Sequence, residues 1–480
     1  MKRGKCNMDH IHVSENHPIV QRKIKKSLDL SVKEGGIASI ATGLGASYFG
    51  PFALFLGATA AQMSLLHGIA GIFPAITQLY SSHLIEKNSR KRITVASATL
   101  MFLTLGLLSI LGILYFFDYA NMWALLSIVT LFYIAAGLGQ PSWFSWMGSL
   151  IPAEKRGEYL SKRNKVTGIF GLVTMLSSAI ALDYLKKAGI QSGYEGTYMA
   201  IGFIILFLLA SVFRAISSKL LSKQYEPHLI IRKKDRESFF GFLKNSRKSA
   251  LGKFGWFNFF LRITMGIAAP FFIIFFIREL NLSYFWYMTI VVSGTLFQLM
   301  FISIMGKVSD RFGNIALVKT CSLAIAIIPL LTFLSIYIPS RGFQILYLII
   351  IPQMFSGFGW AGFNLATSNY LYDSTTAEKR GYALTHFNLL TGIGFFIGTI
   401  LATLLSQVEI NVLSISLVAF LISTVLRLGV VIFGRKGLQE VREVSPFSPS
   451  YFLHEIHPLR NAMHQVHHVS RVSQKLIHHI

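Results

Sequence analysis

The chain has 480 residues, 53% hydrophobic and only 14% charged, with a formal net charge of +24. Soluble domains carry about 25% charged residues, so the composition excludes an ordinary water-soluble fold. The basic excess lies in short stretches between apolar runs, which points away from nucleic acid and toward a membrane topology. Two cysteines, Cys6 and Cys321, provide neither a disulfide framework nor a zinc-binding spacing.

In chain order, the polar start "MKRGKCNMDHIHVSENH" meets no apolar run before Gly35, so no cleavable signal peptide is expected. The Lys-rich stretch Gln21–Gly36 reads as a short amphipathic helix at the interface. Twelve apolar segments follow, near 36–57, 61–85, 93–116, 120–148, 164–184, 197–220, 254–277, 284–305, 316–338, 344–371, 382–406 and 410–434. Between the sixth and seventh runs lies a polar, basic connection. The expected organisation is a tail with an interfacial segment (1–35), a six-helix half (36–220), a central loop (221–253), a second six-helix half (254–434) and a His-rich basic tail (435–480).

With the N-terminus inside, the outward loops hold only Lys186, Lys187, Arg278 and Arg341. Arg262 is read as the basic residue well inside a span, and the others fall on the inner side. Both termini are therefore expected in the cytoplasm. The pentapeptide Ala-Glu-Lys-Arg-Gly occurs at 153–157 and again at 377–381, and the same offset of 224 carries Asn164 onto Asn388 and Glu86-Lys87 onto Asp310-Arg311. The offset moves the fourth segment onto the tenth. Both copies are thus corresponding cytoplasmic loops of two parallel six-helix halves.

The loop after the eighth segment reads Gly306-Lys-Val-Ser-Asp310-Arg311-Phe-Gly313. With its place in the topology, it is similar to the Gly-x-x-x-Asp-Arg-x-Gly motif of the major facilitator superfamily, which the chain resembles across both halves. The first-half copy departs from it, with Ser82 and Ser89 at the glycine positions and Glu86-Lys87 for Asp-Arg. Ser27–Ser31 and the Arg156–Tyr159 loop resemble poorly characterised prokaryotic permeases of that superfamily, a likeness that brings no substrate with it. The resemblance implies an all-α integral membrane protein with the major facilitator fold.

Physically, Asp310 can meet a helix N-terminus and Arg311 a neighbouring carboxylate, forming a latch that opens in a transport cycle. Gly306 and Gly313 would permit close approach and a tight turn. The bland alternative is a set of solvated loop charges. Glu154, Arg156, Gly157, Glu378, Arg380 and Gly381 of the repeated loops, with Glu86 and Lys87, are read as parts of the same cytoplasmic gate.

The resemblance implies that the first, fourth, seventh and tenth helices line a central cavity. Their polar groups at hydrocarbon depth are candidates for solute contact: Ser47 and Tyr48, Gln140 and Trp143, Asn258 and Arg262, Trp360 and Asn364. Arg262, about two turns from the inner end, needs a carboxylate, carbonyls, water or an anionic ligand. It reads as an anion-binding group, or else as a tie to another helix or a snorkelling side chain. Trp143 and Trp360 could stack on a ligand or simply pack. No Asp or Glu is read near a midplane; Glu34 marks the inner entrance of the first segment. His67 is a candidate titrating group or a hydrogen-bonded structural histidine.

Seven of the 14 histidines fall in the last 27 residues, among apolar residues at three- and four-residue steps. This reads as a basic surface helix, with a metal or pH sensor as the sharper alternative. No nucleophile–base pair or phosphate-cradling loop stands out, so an enzyme is not expected. The expected function is a secondary active or facilitative transporter of a small polar, possibly anionic, solute by alternating access. The alternative is a non-transporting membrane sensor or scaffold. Expected partners are the solute, the bilayer and a proton or sodium coupling ion, with no cofactor, metal or nucleic acid. The chain is expected as a monomer in the cell membrane.

Overall fold

A computed structural model describes residues 18–151, 156–227, 239–246, 249–375, 380–408 and 413–445. The chain divides into two compact units, Met1–Lys233 and Lys234–Ile480. Among the described residues, twelve helices are long and apolar enough to cross a membrane, six in each unit. Only helices satisfy their own backbone groups in lipid without closing a barrel, so long apolar runs fold this way.

In the first unit, α1 (Pro18–Leu44) and α2 (Phe49–Phe55) form one span, followed by α3 (Ala60–Lys87), α4 (Arg90–Leu114), α5 (Met122–Leu150), α6 (Arg156–Ser192) and α7 (Glu195–Ser222). In the second, a short α8 (Phe239–Ser246) precedes α9 (Ala250–Ile274), α10 (Tyr284–Phe312), α11 (Asn314–Leu334), α12 (Arg341–Asp373), α13 (Arg380–Leu405) and α14 (Ile415–Gly434). Helix starts follow the local chemistry. Thr59 and Gln62 close a capping box on α3, while Asn121, Ser249, Ser283 and Ser414 cap α5, α9, α10 and α14.

The packing order is the same in both units. In the first, α1 packs on α6 and α7, α3 on α5, and α4 on α5 and α7. In the second, α9 packs on α13 and α14, α10 on α12, and α11 on α12 and α14. The repeat seen in the loops therefore extends to the helix pairs. The α9–α13 contact is tight enough to need glycine on both sides: a Cβ on Gly266 would lie 2.9 Å from the Gly398 Cα. Without a hydrophobic drive between helices in lipid, such close backbone approach supplies the packing. Apolar side chains such as Leu103, Ile110, Ile169, Val173, Leu299 and Val425 remain exposed, as lipid contact requires.

Two expectations are corrected. The Lys-rich stretch is not a separate interfacial helix; it runs unbroken into α1, because nothing between Pro18 and Leu44 breaks it and its Ser27, Ser31 and Glu34 face is buried. The break falls instead at Gly45, where a Cβ would lie 2.7 Å from Leu105 Cδ2. The central loop is not wholly polar either. Its "FFGFLKNS" forms α8, whose Phe242 is buried in the core of the second unit.

Candidate functional site

Arg262 lies twelve residues into the 25-residue α9, about 18 Å along its axis and about three turns deep rather than two. Its guanidinium stands 5.3 Å from the Trp360 ring of α12. No hydrogen bond or ion pair joins the Arg262 side chain to any described residue. The structure thus brings together two residues that the sequence could place only on separate helices. Trp360 is itself edge-on to Phe363, with centroids 6.1 Å apart. One turn before Arg262, Asn258 is buried and donates from Nδ2 to the Phe254 carbonyl at 3.0 Å. Asn364, one turn beyond Trp360, is exposed.

A cation–π contact contributes roughly 0.5–2 kcal/mol, while a charge at the bilayer centre costs several kcal/mol. Trp360 alone therefore does not offset the desolvation of Arg262. At this depth the side chain is also far from either end of α9. Among the described residues no carboxylate pairs with Arg262, and the Trp360 ring is the group that faces its guanidinium.

The first unit arranges its candidates differently. Trp143 of α5 carries a guanidinium on its ring, but that of Arg163 from α6, at 4.3 Å. Arg163 Nη2 lies 3.4 Å from Glu34 Oε2, and Arg163 Nε donates to the Ser31 carbonyl at 3.4 Å. Ser217 Oγ donates to Glu34 Oε1 at 2.8 Å, and Arg214 Nη1 sits 4.0 Å from the same oxygen. Glu34 is therefore not a solvated marker of the entrance. It is buried between two arginines, and it is the one buried carboxylate among the described residues.

Tyr48, read as a cavity residue, is fully buried, donates its hydroxyl proton to the Met175 carbonyl at 2.9 Å and accepts from Ser178. Ser47 bonds the Thr42 carbonyl within its own span. Gln140 is exposed and accepts from Gln78 Nε2 of α3 at 3.3 Å. His67 is tied through Nδ1 to the Met63 carbonyl, 2.9 Å away in the preceding turn.

Arg262 is not the single basic residue inside a span. Arg214 lies within α7, and Arg427 within α14, where it is buried and donates from Nη1 to the Ile325 carbonyl at 3.1 Å. Both were placed on the inner side by loop counting, which does not separate a helix interior from a helix end. The offset of 224 also carries Glu34 onto Asn258. The position between arginines in one unit is an amide in the other.

At the loop ends, Gly313 has φ +85° and forms the junction of α10 and α11, as the turn reading expects. A Cβ there would also strike Glu440. Gly306 differs: a Cβ on it meets no atom within 4 Å, so its expected close approach is not present. Asp310 is exposed and forms no ion pair with described residues, while the Arg311 guanidinium stands 5.6 Å from the Phe312 ring. Lys87 is exposed at the end of α3. Glu154, Glu378 and the histidines of the tail lie outside the described residues, as do the side chains of Glu86, Arg156 and Arg380 and the surroundings of Gly157 and Gly381.

The connected charges at these ends lie beside the motif. In the second unit, Glu440 Oε2 accepts from the Ile315 backbone N–H at 2.8 Å, capping α11. The Gln439 carbonyl accepts from the Tyr370 hydroxyl at 2.9 Å, Asp373 accepts from Asn314 Nδ2 at 2.8 Å, and Arg442 pairs with Asp373 at 3.1 Å. In the first unit, Glu226 accepts from Ser89 and pairs with Arg90 at 3.4 Å, both at the start of α4. The Tyr225 carbonyl accepts from Trp146 Nε1 at 2.9 Å, and Arg90 Nη1 donates to Ser149 Oγ at 2.6 Å.

The offset of 224 carries Ser89 onto Gly313, Arg90 onto Asn314, Trp146 onto Tyr370 and Ser149 onto Asp373. Each unit thus clasps the segment leaving its last helix through residues at corresponding positions, by related but not identical contacts. None of these residues stood out in the sequence, although the offset that aligned the loops would have paired them.

A family model described as Major Facilitator Superfamily matches residues 35–251 and 254–452. Among solved structures, the nucleoside transporter NupG is 15% identical with a TM-score of 0.59, covering 87% of this chain and 99% of its own. The inward-open xylose transporter XylE from E. coli is 13% identical with a TM-score of 0.59, covering 87% and 97%. A POT family transporter in complex with 5-aminolevulinic acid is 12% identical with a TM-score of 0.62, covering 88% and 97%. Curated protein sequences give no match. At these identities the solved structures speak for the fold alone, and with the family match over both six-helix units they lead to one conclusion: the chain belongs to the Major Facilitator Superfamily, a family of multi-pass membrane transporters.

Proposed function

We propose that the chain is a secondary active or facilitative transporter that moves a small anionic solute across the cell membrane by alternating access, with both termini in the cytoplasm. The observation that carries the reading is Arg262, deep in α9, facing Trp360 at 5.3 Å and unpaired among the described residues. A carboxylate or phosphate on the solute supplies the missing counter-charge, and Trp360 receives an adjoining flat or apolar part. Asn364, exposed one turn beyond Trp360, supplies a further polar contact, while the buried Asn258 supports α9 through its bond to the Phe254 carbonyl. The proton or sodium ion remains the candidate coupling partner.

The test is a thermal-shift screen of purified protein against small solutes sorted by charge. Anionic solutes raise the melting temperature of the wild type, and Arg262→Ala removes the rise while keeping its own unfolding transition. A rise confined to neutral or cationic solutes, or an equal rise in Arg262→Ala, contradicts the assignment.

A further inference from the structure

Where α14 ends, a groove of about 590 Å³ opens between the start of α11 and the segment that follows α14. Two cations line it. Arg435 follows the last residue of α14, and Lys319 stands five residues into α11, about 7.5 Å along its axis. Neither side chain forms an ion pair or hydrogen bond with a described residue. One carboxylate, Glu440, also lines the groove, but its oxygens are already engaged: Oε2 accepts from the Ile315 N–H at 2.8 Å and Oε1 from the Val441 N–H at 3.0 Å.

The remaining lining is largely apolar. Ala316, Thr320 and Leu323 recur at helical spacing along one face of α11, opposite Leu438 and Val444. Leu323 is 43% exposed, deeper along α11 than Lys319. Two cations without a partner among the described residues therefore stand at the polar end of a groove whose floor continues toward the apolar zone.

We propose that this groove is a binding site for an anionic phospholipid, with its phosphate held by Lys319 and Arg435 and an acyl chain laid along Ala316, Thr320 and Leu323. A lysine and an arginine that pair with no described residue, at the mouth of the groove, supply the charge complementarity that selects an anionic headgroup. The apolar floor selects a lipid over a soluble phosphate, which would gain nothing from it. The lysine stem packs along the groove while its ammonium reaches the phosphate. The site is separate from Arg262 and holds whatever the transported solute proves to be.

The test uses the full chain in detergent, titrated with phosphatidylglycerol or phosphatidylcholine and read by lipid retention in native mass spectrometry and by melting temperature. The wild type retains phosphatidylglycerol and is stabilised by it, and phosphatidylcholine does neither. Lys319→Gln with Arg435→Gln lowers retention by about tenfold or more. Ala316→Trp, which fills the floor and leaves both charges, also lowers it. Equal retention of the two lipids by the wild type, or unchanged retention in the double variant, overturns the proposal. Stabilisation by inorganic phosphate equal to that by phosphatidylglycerol also overturns it, in favour of a soluble anion.

Discussion

Arg262 and Glu34 show how burial changes the meaning of a charged residue. In the sequence both stand near the inner part of a span. In the structure Glu34 is compensated by Arg163 and Arg214, whereas Arg262 has an aromatic face and no carboxylate among the described residues. Removing one partner from a buried ion pair costs about 3–5 kcal/mol, because the other charge is left uncompensated. Glu34→Gln is therefore expected to lower stability by an amount of that order, read as a lower melting temperature in detergent. Arg262→Ala deletes a charge that no protein carboxylate balances, so its stability is expected to equal or exceed that of the wild type. Loss of stability in Arg262→Ala as large as that in Glu34→Gln would show that Arg262 is a structural tie.

At the scale of elements, the glycine motif separates into two unlike positions. Gly313 combines φ +85° with the close carboxylate of Glu440, so Gly313→Ala is expected to destabilise the second unit by about 1–2 kcal/mol. Gly306 lies inside α10 with open space at its Cβ, so Gly306→Ala is expected to be neutral or to stabilise by about 0.5–1 kcal/mol. Parallel melting curves check the pair; equal losses would contradict the account.

Glu440→Gln removes the anionic cap of α11 and should cost about 1 kcal/mol, whereas Glu226→Gln leaves the buried Arg90 guanidinium uncompensated and should cost about 3–5 kcal/mol. The motif was legible because its spacing is local. The clasp was not, because Glu440 and Ile315 meet only after α11 and α14 have packed. Position alone also hid that Asp310 is exposed while Asp373, Asn314 and Arg442 are joined.

For the whole molecule, the apolar runs already announced twelve spans, because a bilayer leaves long uninterrupted hydrophobicity no other use. The offset of 224 announced the repeat, and the matched packing extends it to five helix pairs in each unit, although α6 packs on α7 more closely than α13 does on α14. Less legible were features where a helix ignores the change from polar to apolar sequence. α1 runs through the Lys-rich stretch, and Arg214 and Arg427 sit inside helices that loop counting treats as uniform. The Arg262–Trp360 contact was half legible. Each residue stood out for polarity or size at depth, but only the fold sets them 5.3 Å apart.

If Arg262 holds the transported anion, as proposed, flux through reconstituted proteoliposomes depends on its guanidinium. Uptake of the anionic solute that stabilises the wild type is measured for the wild type, Arg262→Lys and Arg262→Ala at matched protein incorporation. Uptake is expected in the wild type, with a loss of about tenfold or more in Arg262→Lys, where the charge remains without its planar fork, and no uptake above background in Arg262→Ala. Uptake by Arg262→Ala at the wild-type rate would contradict the proposal.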